Sequence, residues 1–311
     1  MNGVVYVDDG LAGLANQLWA MASAVAYGLE TGVPISAPCF YRHIHRFPRL
    51  TEAMHCPTFM LRWGEHHLHA KLYRLVTHAV RAACKPLVLE AMTKVHLPPS
   101  EPWVGQDRRW ADVGKDRIAL VYGWMVRNPQ GLLRHHQRIR ELFSPGTAVA
   151  TRATRCLETL RTRGVRVFGV HWRRGDYRSW QGGRFLISEE EVAGHMRSAT
   201  THARRQGLTA RFFVATDEPM PAALSRIFPI STGEISDPLD DLTVLAGCDE
   251  ILGSHSSFGR WAAYAGDIPF RVLVPGRTID WESHETLRDL VGPRNADDRE
   301  CHGWLSGIEK V

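Results

Sequence analysis

The sequence predicts an α/β protein made of two Rossmann-like domains that face each other across a cleft. Short β-rich runs alternate with helical patterns from end to end, which favours parallel sheets with crossover helices. The length of 311 residues exceeds the usual size of one hydrophobic core, so two domains of roughly 150 residues are expected. We place the boundary near residue 150, giving domains 1–150 and 151–311.

The first domain opens with a strand, a glycine-containing turn and a helix. VVYVDD (4–9) predicts the strand, GLAGLANQ (10–17) predicts the turn, and the apolar face of the following helix runs from Leu18 to Leu29. The further elements predicted here are a strand at 33–38, a helix at 70–83, a strand at 117–125, a helix at 130–143 and a stop signal at 144–146 before another helix.

The second domain shows the same alternation more clearly. Its predicted elements, in order, are a strand at 165–172, a helix at 188–205, a strand at 210–217, a helix at 221–227, a strand at 229–232, a helix at 240–248, a strand at 250–254, a helix at 257–266 and a strand at 270–276. Ligands of such sheets bind beyond the carboxyl ends of the strands.

The composition is that of an ordinary globular protein. Hydrophobic residues make up 44% of the chain and charged residues 23%, which argues against disorder. The net charge of +5 suits an anionic ligand, but the basic residues are spread along the chain and do not indicate nucleic acid.

The cysteines and the hydropathy bear on the cellular compartment of the protein. Its six cysteines lie far apart without a CxxC pair, which favours reduced thiols. The N-terminus lacks the basic and apolar pattern of a signal peptide, and no segment reaches the ~18 apolar residues of a membrane span. We therefore expect a cytoplasmic protein that can be peripheral to a membrane.

The segment FGVHWRRGDY (168–177) carries the strongest functional signal. An apolar strand ends here in a cluster of charges, and β alternation directs His171 and Arg173 to one side and Trp172 and Arg174 to the other. A guanidinium offers a planar fork of donors that binds phosphate oxygens, so the first pair suits a diphosphate. The alternative is a surface ion pair between Asp176 and Arg173 or Arg174.

Two later strands end in further polar groups. Asp217, in VATDEP (214–219), either accepts from a ribose or base or caps the next helix. In GSHSSFGRWAA (253–263), the hydroxyls of Ser256 and Ser257 and the free N–H groups of a helix N-terminus can receive a phosphate.

The opening turn GLAGLANQ is a weak match to a dinucleotide fingerprint, because Asn16 stands where a third glycine is expected. Asn16 either offers a donor and an acceptor to the cleft or caps its helix.

A metal site and a catalytic base are less well supported. The histidines His66, His67, His69, His135 and His136 form no zinc motif, and the sequence has no Asp-x-Asp triplet, so no metal is expected. Candidates for the catalytic base, chosen by charge alone, are Asp9, Asp176 and Glu65.

Taken together, four segments resemble a known family. HWRRGDY resembles the HxRRGDY signature of the α1,2-, α1,6- and protein O-fucosyltransferase superfamily, and GLANQLWAMASA is similar to the opening of its α1,2-branch. VATDEP is similar to a segment of the α1,6-branch, and ILGSHSSFGRWAA to one of the α1,2-enzymes. The motifs are closest to bacterial α1,2-fucosyltransferase-like proteins.

This resemblance implies an inverting, metal-independent transferase with the two-domain GT-B fold, which moves fucose from GDP-fucose to a glycan acceptor. It implies that Arg173 neutralises the leaving diphosphate, that His171 and Asp241 contact guanine or ribose, and that Asn16 faces the same cleft. It also implies that phosphates are cradled by Ser256, Ser257 and Phe258.

The sequence departs from the family at several positions. His255 replaces an Asn, Gly259 and Arg260 replace Ser-Trp, and Ala12 and Ala15 replace glycines. Two alternatives therefore stay open: a GT-B transferase with another nucleotide-sugar donor, and a non-catalytic nucleotide- or glycan-binding protein on the same scaffold.

Overall fold

The computed structural model describes residues 4–6, 13–32, 35–36, 40–53, 92–96, 118–122, 127–231 and 237–292. The chain divides into two compact units at Gly146–Thr147, and the second unit extends to Leu290. Within the described ranges, no helix is long and apolar enough to cross a membrane.

The first unit contains a four-stranded parallel sheet. Its strands are β1 (Val4–Tyr6), β2 (Ile35–Ser36), β3 (Met92–His96) and β4 (Ile118–Tyr122), in the order β2-β1-β4-β3. Strands β1, β2 and β4 lie within predicted strands, whereas β3 was not predicted. The predicted helix at 70–83 lies outside the described residues.

Helix α1 (Leu14–Thr31) begins earlier than the sequence predicts. Its N-cap is Gly13, which makes no side-chain cap hydrogen bond, so the prediction that Asn16 caps the helix is wrong. Almost every residue from Leu18 to Tyr27 is buried, whereas Leu29 is exposed, so the predicted apolar face is wrong at its last position.

The remaining helices of the first unit are short. They are α2 (Tyr41–Ile44), α3 (Pro48–Ala53), α4 (Pro129–Arg134) and α5 (His136–Leu142). The last two replace the single helix predicted at 130–143, because the chain breaks at His135. Asn128 caps α4 by accepting a hydrogen bond from the N–H of Gly131 at 3.1 Å.

The second unit contains a five-stranded parallel sheet. Its strands are β5 (Val165–Trp172), β6 (Thr209–Thr216), β7 (Ile230–Ser231), β8 (Glu250–Ser254) and β9 (Phe270–Leu273), in the order β7-β6-β5-β8-β9. The chain proceeds from β5 through β6 to β7 on one side, and then crosses back to β8 and β9 on the other. β5 and β8 are therefore neighbours at the point where the strand order reverses.

Helices connect these strands at nearly the predicted positions. They are α7 (Glu189–Arg205), α8 (Ala222–Ile227), α9 (Pro238–Ala246) and α10 (Ser257–Gly266). The predicted helix after 144–146 is α6 (Thr147–Leu160), which precedes β5, whereas α11 (Leu287–Val291), after β9, was not predicted. The core under α7 and α8 consists of apolar residues from the sheet and both helices, among them Phe168, Phe212, Met196 and Leu224. This core holds β5 and β6 rigidly, so their carboxyl ends form a stable platform.

Candidate functional site

Three strand ends meet at the carboxyl edge of the second sheet. His171 of β5 is in register with Ala215 of β6 and with Gly253 of β8. The residues that follow these positions therefore come together, which unites HWRRGDY, VATDEP and GSHSSF in one place. This convergence is what the sequence predicted for them.

Arg173 lies at the centre of this edge. Its backbone N–H donates to the Ser254 Oγ at 3.1 Å, which ties the end of β5 to the end of β8. Its guanidinium lies 5.3 Å from the Tyr177 ring centroid, and its side chain is 38% exposed. The cation is thus held on an aromatic face while remaining accessible to a ligand.

Asp176 occupies the fork of Arg173. The Nε and Nη2 groups donate to its two carboxylate oxygens, each at 2.7 Å. This hydrogen bonding raises the pKa of Arg173 and lowers the pKa of Asp176. The ion-pair alternative is therefore confirmed for Arg173, and any anion that binds the same fork must compete with Asp176.

Arg174 faces the opposite way and braces the strand end. Its guanidinium lies 4.2 Å from the Trp172 ring centroid, and its Nη2 donates to the Pro219 carbonyl at 2.5 Å. Because Arg174 is buried, it has no access to a ligand at this edge. The predicted alternation of side chains along 171–174 is confirmed by these contacts.

Asp217 organises the turn after β5. Its carboxylate accepts from the backbone N–H groups of Arg174 at 2.8 Å and Gly175 at 3.2 Å. A side-chain carbon on Gly175 would lie 3.0 Å from the Asp217 Oδ2, so this close approach needs glycine. The prediction that Asp217 caps the next helix is wrong, because α8 has Pro221 as its N-cap and no side-chain cap.

The N-terminus of α10 adjoins Arg173. Ser256 is the N-cap, and its Oγ accepts from the Phe258 N–H at 3.2 Å. The Tyr177 hydroxyl donates to the His255 carbonyl at 2.7 Å, and burial raises the pKa of Tyr177 to about 12. The turn that carries Arg173 is thereby fastened to the residues that begin the helix.

His171 is buried behind this helix N-terminus. Its ring stacks on Phe258 with 4.9 Å between the ring centroids, and its Nδ1 has no hydrogen-bond partner among the described residues. Burial, reinforced by the positive charge of Arg173, lowers the pKa of His171 to about 3. The imidazole is therefore neutral at physiological pH and adds no charge to the site.

Two glycines allow this close packing. A side-chain carbon on Gly253 or Gly259 would lie 2.7 or 2.8 Å from the Phe270 Cε2, and one on Gly259 would also lie 3.4 Å from the His171 Nδ1. Gly259 stands where the resembled family has Ser, so this departure permits α10 to approach the sheet.

Asp241 lies in the first turn of α9, whose capping residue is Asp237. Because α9 leads into β8 of a parallel sheet, its N-terminus lies at the carboxyl edge as well. Burial, with the negative charges of Asp240 and Asp237, raises the pKa of Asp241 to about 7. Asp240 instead faces Arg152, with a shortest distance of 2.8 Å between them.

The other predicted residues lie in the first unit or outside the described residues. Asn16 is partly buried in the first turn of α1, in the first unit. Asp9 and Glu65, the other candidate bases, lie outside the described residues, as do the histidines at 66, 67 and 69. The part of the chain that the structure describes contains no group of three potential metal ligands, and both its cysteines, Cys156 and Cys248, are free.

The sequence analysis did not single out Tyr177 and Ser254 as site residues. Tyr177 also stacks on Trp180 at 5.1 Å between centroids, and Trp180 stacks on Phe185 at 4.9 Å. The signal was present, because aromatic residues recur at 177, 180 and 185 directly after the arginines. Only the fold reveals that they support the arginine turn.

Comparison with solved structures matches the chain to fucosyltransferases. An arginine-to-lysine variant of FUT1 from Arabidopsis thaliana in complex with GDP matches 91% of this chain and 73% of its own, at 16% identity and a TM-score of 0.60. NodZ α1,6-fucosyltransferase soaked with GDP-fucose matches 90% of this chain and 99% of its own, at 15% identity and a TM-score of 0.52. POFUT1 in complex with GDP-fucose matches 86% of this chain and 95% of its own, at 9% identity and a TM-score of 0.50.

At these identities the similarity establishes a shared fold. The chain thus has the α/β fold of these fucosyltransferases, as predicted. Neither a scan against models of protein families nor a search of curated proteins gives a match.

Proposed function

We propose that the protein is an inverting, metal-independent glycosyltransferase that moves fucose from GDP-fucose to a hydroxyl of a glycan. The observation that carries this proposal is the accessible guanidinium of Arg173 beside the N-terminus of α10, at the point where the strand order reverses. The shared fold with fucosyltransferases that bind GDP or GDP-fucose supports the choice of donor.

In this proposal the diphosphate binds between Arg173 and the first turn of α10. The guanidinium fork exchanges Asp176 for phosphate oxygens, and Ser256, Ser257 and Phe258 supply hydroxyl and backbone N–H groups. The positive end of the helix dipole favours the same anion. Two independent sources of positive potential therefore act on one group.

The nucleoside would extend toward α9. The Asp241 carboxyl is partly buried at the same edge, without an ion pair to any described residue, and it suits the N–H donors of guanine. His171, buried and neutral, and Asp217, at the end of β6, would complete the donor pocket. The catalytic role of Asn16, in the first unit, stays a prediction.

The chemistry follows from this arrangement. The acceptor oxygen bonds to the anomeric carbon of fucose while the bond from that carbon to the diphosphate oxygen breaks on the opposite face, which inverts the configuration. The electron pair of the broken bond leaves with GDP, and the proton of the acceptor hydroxyl passes to a carboxylate base or to water. Arg173 and the helix N-terminus stabilise the charge that develops on the diphosphate, an effect of roughly 3 kcal/mol per lost contact.

Replacing Arg173 tests this proposal. Arg173→Ala should leave the fold intact and lower turnover of GDP-fucose on a glycan panel by roughly a hundredfold or more. Arg173→Lys should fail nearly as badly, because an ammonium lacks the planar fork. Arg197→Ala, at an exposed arginine of α7, is the matched control and should retain turnover.

Calorimetric titration separates the remaining possibilities. Wild-type protein should bind GDP more tightly than UDP, with the same affinity in EDTA. Near-normal turnover by folded Arg173→Ala protein would contradict the role of Arg173, and a strict requirement for a divalent ion would contradict the metal-independent mechanism. Preference for UDP would indicate another donor, and GDP binding without any transfer would indicate a binding protein.

A further inference from the structure

The opposite edge of the second sheet carries a basic surface. All strands of this sheet are parallel, so the helices that precede β5, β6 and β7 all end at its amino edge. Three turns follow these helices, at 161–164, 206–208 and 228–229. We call these turns, with the flanking residues 204–205 and 226–227, the amino-edge surface.

Backbone hydrogen bonds link the three turns through β6. The Thr209 N–H, directly after the second turn, donates to the carbonyl of Gly164 in the first turn at 2.8 Å. The Phe212 N–H, three residues further along β6, donates to the carbonyl of Pro229 in the third turn at 3.1 Å. Gly164 and Gly207 have φ angles of +77° and +74°, so both turns are tight.

This surface has an excess of positive charge. Four exposed arginines, Arg163, Arg204, Arg205 and Arg226, make no ion pair with any described residue. Arg161 is exposed too but pairs with Asp249 at 3.1 Å. The exposed acids at this edge are Glu158, one helical turn before Arg161, and Asp267, in the turn before β9.

Helix dipoles explain only part of this pattern. Arg204, Arg205 and Arg226 end helices, where a cation stabilises the partial negative charge of the helix C-terminus. Arg163 lies beyond the end of its helix. Next to Arg226 stands Ile227, which is 60% exposed and is one of only two exposed large hydrophobic residues in the described ranges.

We propose that the amino-edge surface docks the protein on anionic phospholipid headgroups. Several exposed arginines on these turns attract a negatively charged bilayer, and Ile227 can enter the boundary between headgroups and acyl chains. Single-stranded nucleic acid fits less well, because its binding uses aromatic faces for base stacking. The only aromatic residue in this surface is Phe228, which is buried.

This docking orients the second unit. The candidate donor site lies at the carboxyl edge, separated from the amino edge by the eight residues of β5, a rise of about 26 Å. That edge would face away from the lipid, open to a water-soluble ligand. The inference depends on the charges and the topology and does not depend on the proposed function.

Vesicle co-sedimentation of the full chain tests the proposal. We expect binding to vesicles of phosphatidylcholine with 30% phosphatidylserine (about one lipid in three), no binding to pure phosphatidylcholine, and weaker binding at high salt. Each arginine near an anionic surface raises the membrane-binding constant roughly fivefold. The triple variant R163Q/R204Q/R205Q should therefore bind the anionic vesicles roughly a hundredfold more weakly than wild type. The matched triple variant R197Q/R277Q/R288Q removes three positive charges from exposed arginines outside the amino-edge surface, and it should bind the vesicles as wild type does.

A second pair of variants isolates the apolar contact. Ile227→Ser should weaken vesicle binding severalfold, whereas Leu29→Ser, at the other exposed apolar residue, should not. An equal loss of vesicle binding in the two triple variants would overturn the proposal, and so would a wild-type protein that does not bind the anionic vesicles. Tighter binding to an oligouridine than to the vesicles, lost in R163Q/R204Q/R205Q, would assign the surface to nucleic acid and also overturn it.

Discussion

Arg173 forms an ion pair with Asp176 of its own chain. The guanidinium fork donates to both carboxylate oxygens, and both side chains are partly exposed. An exposed pair of this kind contributes only ~0.2–1 kcal/mol to stability. Under the proposed function, a doubly charged diphosphate next to the helix N-terminus would therefore compete with Asp176 for this fork.

Removing this competitor should strengthen GDP binding. We expect Asp176→Asn to lower the dissociation constant for GDP by about two- to fivefold, measured by calorimetry, because the fork no longer has a carboxylate partner. Glu141→Gln is the matched control, since Glu141 forms an exposed pair with Arg138, also three residues away in sequence, at 3.0 Å. Weaker GDP binding by Asp176→Asn would show instead that Asp176 orients the arginine.

Asp241 makes the stability of the protein depend on pH. Its pKa of about 7 in the folded protein exceeds the ordinary aspartate value of 3.8, so the folded state binds a proton more tightly than the unfolded state does. Its contribution to stability is fully present below pH ~4 and is lost as the pH rises to about 7.

Asp241→Asn should remove this dependence. We expect the variant to exceed wild type in thermal midpoint at pH 8, and the difference to shrink as the pH falls toward 4, because an amide cannot ionise. Asp240→Asn serves as the control and should destabilise at pH 8, since Asp240 pairs with Arg152 at 2.8 Å. Parallel pH profiles for wild type and Asp241→Asn would contradict the raised pKa.

At the scale of elements, the packing of α10 against β8 and β9 sets the position of the helix N-terminus to which we assign the diphosphate. Gly253 and Gly259 leave room for the buried ring of Phe270, and Arg260 of α10 donates to the buried Glu285 at 2.8 Å. The helix N-terminus is therefore held by contacts along the whole first half of α10.

Adding one carbon at Gly259 should disturb this packing. Gly259→Ala places its Cβ 2.8 Å from the Phe270 Cε2, and we expect a loss of roughly 1–2 kcal/mol in unfolding free energy, with weaker GDP binding. Gly194→Ala, in α7, meets nothing closer than Arg197 at 4.0 Å and should stabilise by about 0.5–1 kcal/mol. Chemical denaturation measures the unfolding free energy of both variants. An equal change in Gly259→Ala and Gly194→Ala would contradict the close packing of α10 on Phe270.

Elements with strong local signals were predicted accurately. Helix α7 begins where Ser188 and Glu191 form a capping box, and strand β5 has the predicted bounds of 165 and 172. The break at His135 was missed because the amphipathic pattern continues across it. Strand β3 was missed because MTKVH (92–96) has no clear alternation or turn signals around it.

At the scale of the whole molecule, the chain has two parallel sheets with separate strand orders. Alternation of strands and helices predicts parallel sheets, because a parallel pair needs a crossover connection. It does not predict that the first sheet has the order β2-β1-β4-β3 or that β5 is central in the second. That order decides which strand ends become neighbours, and so which polar residues share a site.

The amino-acid sequence by itself determined the α/β class, most element positions in the second unit and the candidate residues at three strand ends, because these depend on local periodicity and on turn and capping residues. Only the tertiary structure decided what each side chain contacts. The sequence allowed Asp176 to pair with either arginine, and the structure pairs it with Arg173. It allowed Asp217 to contact a ribose or base or to cap a helix, and the structure shows that its carboxylate holds the turn after β5. Those choices depend on distances between segments far apart in the chain, which no local pattern records.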